Sequence, residues 1–211
     1  MKLLIIGAAG GLGRQLVGEA LEMGHAVTAF VRRPETIPGA DKQLNVTTGD
    51  LLDPVSVSSA VPGHDAVIGA VAPKLRLRQH TTVFSRGIAN LRAAMERCHT
   101  RRLIWVTSAG IVPSDLEATG FFFSRIFKPL FLHDVYADCA LSEQKLRESE
   151  LDWICVHPTR LTDGPRTASY RVDPWHTPPK GKEISRADLA DFMLKQLNSV
   201  EYVHKTPVLA Y

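Results

Sequence analysis

Short apolar runs alternate with segments of helical spacing along this chain. The apolar runs predict six strands, over residues 3–6, 25–31, 44–48, 66–71, 103–107 and 153–156. Apolar residues three or four positions apart predict helices over 14–23, 54–60, 82–97, 135–149 and 186–197. Ser185 is predicted to cap the last helix. This alternation favours an α/β fold with a doubly wound parallel sheet and helices on both faces, and we expect one domain over residues 1–211.

The first predicted strand leads directly into a glycine-rich turn, GAAGGLG at residues 7–13. Glycines let the backbone turn tightly and approach a ligand closely, and the free amides at the start of the following helix suit a phosphate. A glycine triplet alone also fits a flexible loop, but a strand before it and a helix after it indicate a dinucleotide site. The predicted contacts are Gly7, Ala9, Gly10, Gly11 and Leu12.

Two arginines at the end of the second predicted strand indicate which dinucleotide fits. A residue at this position faces the adenosine ribose, where an acidic side chain suits NAD and an arginine accommodates the extra phosphate of NADP. The chain has Arg32 and Arg33 there. The alternative is a solvated pair of surface arginines. The sequence therefore predicts NADP(H) as the cofactor.

Four more residues fit the same cofactor. Asp50 follows the third strand, where its carboxylate can accept a hydrogen bond from the adenine amino group, and Leu51 can flank the base. Asp50 is equally typical of a turn or a helix cap. Ala70 and Val71 end the fourth predicted strand with small side chains, which leave room beside the backbone.

Bulk composition is that of an enzyme-sized domain. The chain has 211 residues, 45% of them hydrophobic, and a formal net charge of +3. The weak positive charge argues against a nucleic-acid partner. No apolar stretch is long enough for a membrane span, and the three cysteines lack the spacing of a metal site, so we expect no membrane partner and no metal. We expect a cytoplasmic protein, a monomer or weak homo-oligomer, with a small-molecule acceptor as substrate.

Several motifs together resemble a known family: the glycine turn, GDL at 49–51, TSA at 107–109 and ISRADL at 184–189. Over nearly its whole length the chain is similar to the atypical short-chain dehydrogenase/reductases with an NAD(P)H-binding, NmrA-like domain, especially the biliverdin reductase B (flavin reductase) group. The resemblance implies a Rossmann fold, a preference for NADPH, and hydride transfer to flat conjugated acceptors such as flavins, quinones or tetrapyrroles.

The resemblance also implies a catalytic region. Ser108 matches the active-site serine of the family, although a serine there can also serve local backbone groups. Thr107 and Pro158 are expected near the nicotinamide end of the cofactor. Arg160 stands where the biliverdin reductase B group has histidine, and it can bind an acidic substrate group but cannot donate a proton, which argues against biliverdin. His157 is interpreted as structural rather than catalytic.

Typical short-chain dehydrogenases pair a tyrosine with a lysine four residues later, and this chain has no such pair. Tyr136 is followed at that spacing by Ala140. The absence disfavours alcohol oxidation and permits an alternative to a flavin or quinone reductase, a non-catalytic NADP(H) sensor. A further alternative is an epimerase-like sugar-nucleotide enzyme, which has a similar glycine motif but usually needs that tyrosine and a larger substrate domain. The aromatic stripe at 121–131 is a lid, a core cover or an interface, and Tyr136, Tyr170 and Trp175 are candidate pocket walls.

Overall fold

The computed structural model describes residues 1–34, 42–73, 81–111 and 132–211. These residues form ten strands, β1 (Lys2–Ile6), β2 (Ala26–Val31), β3 (Leu44–Thr48), β4 (Ala66–Gly69), β5 (Arg102–Val106), β6 (Asp152–Pro158), β7 (Arg160–Thr162), β8 (Arg171–Asp173), β9 (Glu183–Ser185) and β10 (Val208–Ala210). They also form five α-helices, α1 (Gly11–Glu22), α2 (Pro54–Ala60), α3 (Val83–Arg97), α4 (His133–Arg147) and α5 (Arg186–Lys195).

Eight strands make one sheet in the order β3-β2-β1-β4-β5-β6-β10-β8. Neighbouring strands run parallel from β3 to β10, and only the edge strand β8 is antiparallel to its neighbour. The predicted doubly wound parallel sheet is therefore confirmed. The sequence did not predict β7 to β10, of which β7 and β9 form a separate parallel pair.

The apolar run of β1 is buried on both faces of the sheet. Leu3 and Ile5 pack in the core beneath α1 and α5, whereas Leu4 and Ile6 pack in the core beneath α2, α3 and α4. Strands covered by helices on both faces need a continuous apolar sequence, because both sets of alternating side chains leave water. This burial explains why the central strands were visible in the sequence.

Element ends differ from the predictions mainly near the glycine turn. The strand at 44–48 and the helix at 54–60 match, and Ser185 caps α5 by accepting a hydrogen bond from the amide of Asp188. Helix α1 begins at Gly11 rather than at residue 14, and β4 ends at Gly69 rather than at residue 71. No helix in the described ranges is long and apolar enough to cross a membrane.

Candidate active site

The order of strands reverses between β1 and β4, and this point forms one end of the candidate site. Ligands of open α/β sheets bind where the order reverses, outside the carboxyl ends of the strands. Gly7 leaves β1 there with φ +78°, and a Cβ atom at this residue would lie 2.5 Å from the carbonyl oxygen of Ala70. Both the backbone angle and the contact with the loop after β4 therefore require glycine at position 7.

The start of α1 forms a shallow cradle beside this crossing. A Cβ atom at Gly13 would lie 2.1 Å from the carbonyl oxygen of Gly7, so the missing side chain allows the helix to pack on the turn. Gly10 and Gly11 are exposed, and Gly10 caps the helix without a side-chain hydrogen bond. The first amides of α1 are thus left for an anion, and the cradle fits the pyrophosphate of a dinucleotide. Ala9 and Leu12 pack against the core beneath α1.

The residues predicted at the adenosine end lie at the ends of β2 and β3. Arg32 and Arg33 are exposed directly after β2. Asp50 Oδ1 accepts a hydrogen bond of 2.9 Å from the amide of Leu52, which matches the turn alternative. Leu51 is buried against α3. The adenine contacts of Asp50 and Leu51 stay predictions.

Two neighbouring hydroxyls follow β5. The hydroxyl of Ser108 lies close enough to that of Tyr136 on α4 to lower the pKa of the phenol, and Ser108 Oγ accepts from the amide of Gly110 at 3.2 Å. A Cβ atom at Gly110 would lie 2.5 Å from the Tyr136 hydroxyl oxygen, so this glycine admits the ring. Burial raises the pKa of Tyr136 and outweighs the lowering by Ser108, so the phenol is protonated at neutral pH.

A buried polar network lies directly behind this pair. Glu143 Oε1 accepts from the Thr107 hydroxyl at 2.8 Å and lies 2.6 Å from His157 Nε2, with the thiol of Cys155 at 3.6 Å. These contacts support the structural interpretation of His157. The Thr107 hydroxyl donates here and its amide donates to the carbonyl of Val156, and the expected cofactor contact of Thr107 stays a prediction.

The network also brings together three potential metal ligands that the sequence did not connect. One ligand atom from each of Glu143, Cys155 and His157 lies within 4.8 Å of the others. Each of these atoms already has a hydrogen-bond partner in the network. Cysteine spacing gave no hint of the cluster, because Glu143 comes from α4 and the other two from β6.

The predicted residues after β6 have different surroundings. Pro158 is buried where β6 pairs with β10. Arg160 begins β7, and its guanidinium forms an ion pair with Glu183 on the partner strand β9. Its side chain is 72% exposed and only Nη2 contacts Glu183, so the guanidinium keeps further donors for an acidic substrate group.

The other candidate pocket walls do not join the hydroxyl pair. The Tyr170 hydroxyl donates to Asp191 and its ring packs edge-on against Phe192 of α5. Trp175 is exposed. The aromatic stripe at 121–131 lies outside the described residues.

Two residues of this region were not predicted as functional from the sequence. Tyr136 is expected only as a pocket wall, because its place beside Ser108 depends on how α4 packs on the end of β5. Arg186 is not expected at the site, although its side chain crosses Gly11 at the mouth of the cradle. The signal for Arg186 was its place directly after the capping residue Ser185, which puts it at the start of α5.

A sequence profile described as NAD(P)H-binding matches residues 7–200. The chain belongs to this NAD(P)H-binding family. A relative, the 3 beta-hydroxysteroid dehydrogenase/Delta 5→4-isomerase of Mycobacterium tuberculosis, is 31% identical over 129 residues, which are 56% of this chain and 35% of that enzyme. The chain therefore spans about a third of the length of that relative. YwnB of Bacillus subtilis is 24% identical over 206 residues, covering 96% of this chain and 93% of YwnB.

Several solved structures share the fold of this NAD(P)H-binding protein over its whole length. The oxidoreductase ylbE of Lactococcus lactis has a TM-score of 0.82 at 19% identity, covering 100% of this chain and 90% of ylbE. A short-chain dehydrogenase/reductase of Veillonella parvula in complex with NADP has a TM-score of 0.78 at 19% identity, with 100% and 94% covered. ChuY, an anaerobillin reductase of Escherichia coli O157:H7, has a TM-score of 0.77 at 20% identity, with 100% and 97% covered.

Proposed function

We propose that this protein is an NADPH-dependent oxidoreductase that transfers hydride to flat conjugated acceptors of the flavin, quinone or tetrapyrrole type. The observation that carries the proposal is that the hydroxyls of Ser108 and Tyr136 meet beside Gly110, at the carboxyl edge of the sheet that also carries the glycine cradle. The pair has the hydroxyls of a reductase site but no lysine four residues after the tyrosine.

The glycine turn and the two arginines are assigned to cofactor binding. The amides of Gly11 and Leu12 at the start of α1 would hold the pyrophosphate beside Gly10, whose own amide donates to the carbonyl of Gly7, and Arg32 and Arg33 would contact the 2′-phosphate. Asp50, Leu51, Ala70, Val71 and Pro158 would border the remainder of the cofactor. When bound, NADPH supplies a hydride from its nicotinamide ring.

The protonation state of Tyr136 supports reduction rather than alcohol oxidation. Oxidation of an alcohol needs a base, but burial raises the pKa of this tyrosine, and position 140, four residues later, holds alanine instead of lysine. Reduction needs a donor, and a protonated phenol linked to Ser108 can donate a proton or a hydrogen bond. A conjugated acceptor places little demand on such groups, because its rings spread the added charge and water can supply the proton.

The comparisons supply supporting context. Relatives and structural neighbours include a steroid dehydrogenase, a short-chain dehydrogenase/reductase in complex with NADP and an anaerobillin reductase. The similarity to biliverdin reductase B and the choice among the three acceptor types stay predictions. Ala140 in place of lysine also favours a second candidate, an NADP(H) sensor that binds the cofactor and turns nothing over.

An acceptor screen tests the proposal and separates the two candidates. NADPH oxidation is followed spectrophotometrically with FMN, riboflavin and a simple quinone, with enzyme-free controls because free flavins react slowly with NADPH. We expect protein-dependent oxidation with at least one acceptor and no reaction of secondary alcohols with NADP. NADPH binding without turnover of any acceptor would support the sensor instead.

A further inference from the structure

The side chain of Arg186 lies across the first residue of α1. A Cβ atom at Gly11 would lie 3.0 Å from both Cδ and Nε of this arginine. Arg186 is also the first residue of α5, so the starts of two helices meet at this point. Gly11 thus has a role besides leaving room for a ligand, because a side chain at this position would displace the arginine.

This meeting point favours an anion. The free amides at a helix start carry partial positive charge, and here a guanidinium adds a full charge beside the amides of α1. Arginine is suited to phosphate because its planar donors can bind two oxygens together. The side chain of Arg186 is 28% exposed, so it is largely held in place and still open to a ligand.

The present partner of Arg186 is a weakly held carboxylate. Arg186 Nη1 donates to Asp163 Oδ1 at 2.6 Å, and the side chain of Asp163 is 89% exposed. Ion pairs with so exposed a member contribute little, because water solvates the carboxylate nearly as well as the arginine does. An incoming phosphate with two oxygens to offer is a stronger partner for the guanidinium than this carboxylate.

We propose that Arg186 binds a phosphate group of the cofactor and that this contact replaces its ion pair with Asp163. The proposal rests on the proposed function, since it assumes that NADPH occupies the glycine cradle. In this proposal a residue from a distant part of the chain binds the phosphate, and Asp163 competes with the cofactor for the guanidinium of Arg186.

Calorimetric titration with NADPH tests both parts. Arg186→Ala is expected to weaken binding about tenfold or more, because a charge-assisted contact is lost. Arg186→Met keeps most of the apolar stem over Gly11 but lacks the guanidinium, so it should weaken NADPH binding as much as Arg186→Ala does. Asp163→Asn should tighten binding several-fold in the wild-type background and change nothing in the Arg186→Ala background. Arg92→Ala, which removes an arginine from a surface ion pair with Glu96 on α3, is the matched control and should bind NADPH as the wild type does.

The outcomes distinguish this inference from the proposed function. If the wild type fails to bind NADPH, the proposed function falls. If the wild type binds NADPH and both Arg186 variants bind it equally well, the phosphate contact is wrong. If Asp163→Asn weakens binding or leaves it unchanged, the exchange of partners is wrong. Melting temperatures of all variants show whether each is folded.

Discussion

Nε2 of His157 lies 2.6 Å from Oε1 of Glu143, and both side chains are buried. Thr107 and Cys155 contact the same carboxylate oxygen, and Arg147 donates to the other at 3.2 Å. A carboxylate removed from such a place leaves several buried polar groups without their partner. Glu143 therefore supports the strand ends that carry Ser108 and Pro158.

Replacement of this carboxylate should destabilise the protein. Glu143→Ala is expected to lower the free energy of unfolding at pH 7 by about 3 kcal/mol, because buried donors lose their acceptor. Urea unfolding followed by circular dichroism measures the change. Gln144→Ala, one residue away on the exposed face of α4, is the control and should change stability by less than about 0.5 kcal/mol.

The contribution of Glu143 to stability should depend on pH. Burial alone would raise the pKa of Glu143, but the hydrogen bond and charge of His157, with Thr107 and Arg147, hold it below its usual value. A group with a lowered pKa stabilises the folded state above its unfolded pKa and loses this effect as the pH falls through its folded pKa. The stability difference between wild type and Glu143→Gln should therefore shrink in acid, and a difference that grows there would contradict the assignment.

Glycines of the turn should divide into binding and folding positions. Gly10→Val is expected to abolish NADPH binding, because the valine side chain would obstruct the pyrophosphate. The protein should still fold, because Gly10 is exposed and a Cβ atom there would lie 3.3 Å from the Gly7 carbonyl oxygen. Gly13→Ala should instead lower stability by about 1–3 kcal/mol, since its Cβ atom would overlap the turn. Calorimetry and thermal unfolding measure the two effects.

Gly18→Ala is the matched control on the same helix. Apart from its chain neighbours and the backbone of its own helix, no atom of the described residues lies within 4 Å of a Cβ atom at this position, so the variant should bind NADPH normally and gain up to about 1 kcal/mol of stability. Tight NADPH binding by Gly10→Val would mean that the nucleotide lies elsewhere.

Cofactor preference should depend on the arginines after β2. Loss of one charge-assisted contact, about 1.5–3 kcal/mol, corresponds to an affinity loss of about 10- to 150-fold. Arg32→Ala or Arg33→Ala should therefore weaken NADPH binding by that factor and leave NADH binding nearly unchanged. Titration of each variant with both cofactors measures the preference, and an unchanged preference in both variants would refute the NADP assignment.

The hydroxyl pair should affect rate more than binding. Ser108→Ala and Tyr136→Phe are each expected to lower kcat about tenfold while changing the Kd for NADPH by less than about threefold, because the contacts strengthen in the transition state. Tyr202→Phe, whose ring packs on Phe192, is a control that should keep the wild-type rate. Equal losses in kcat and NADPH affinity would instead assign the pair to cofactor binding.

The sequence predicted the central fold because its signals are local. Leu3 to Ile6 form the continuous apolar run that a strand buried on both faces requires, and the glycine turn follows directly. The strands β7 to β10 escaped prediction because each of them has three residues and depends on partners distant in the chain.

The sequence predicted the position of those site residues that directly follow a strand. Its glycines and arginines follow predicted strands directly, so their position at the carboxyl edge could be inferred from the order of elements. The pairing of Ser108 with Tyr136, of Thr107 with Glu143 and of Gly11 with Arg186 joins separate elements. Such contacts depend on how helices pack on the sheet, and a single sequence carries no local signal for them.

The most direct test of the central claim is a stopped-flow comparison of NADPH with NADPH deuterated at the transferred position. The acceptor found in the screen is mixed with enzyme and either form of the cofactor, and the deuterium that remains in the oxidised cofactor is then measured. We predict slower oxidation of the deuterated cofactor and loss of deuterium from one face of the nicotinamide only. Equal oxidation rates for the two forms, with deuterium lost from either face of the nicotinamide, would contradict the account.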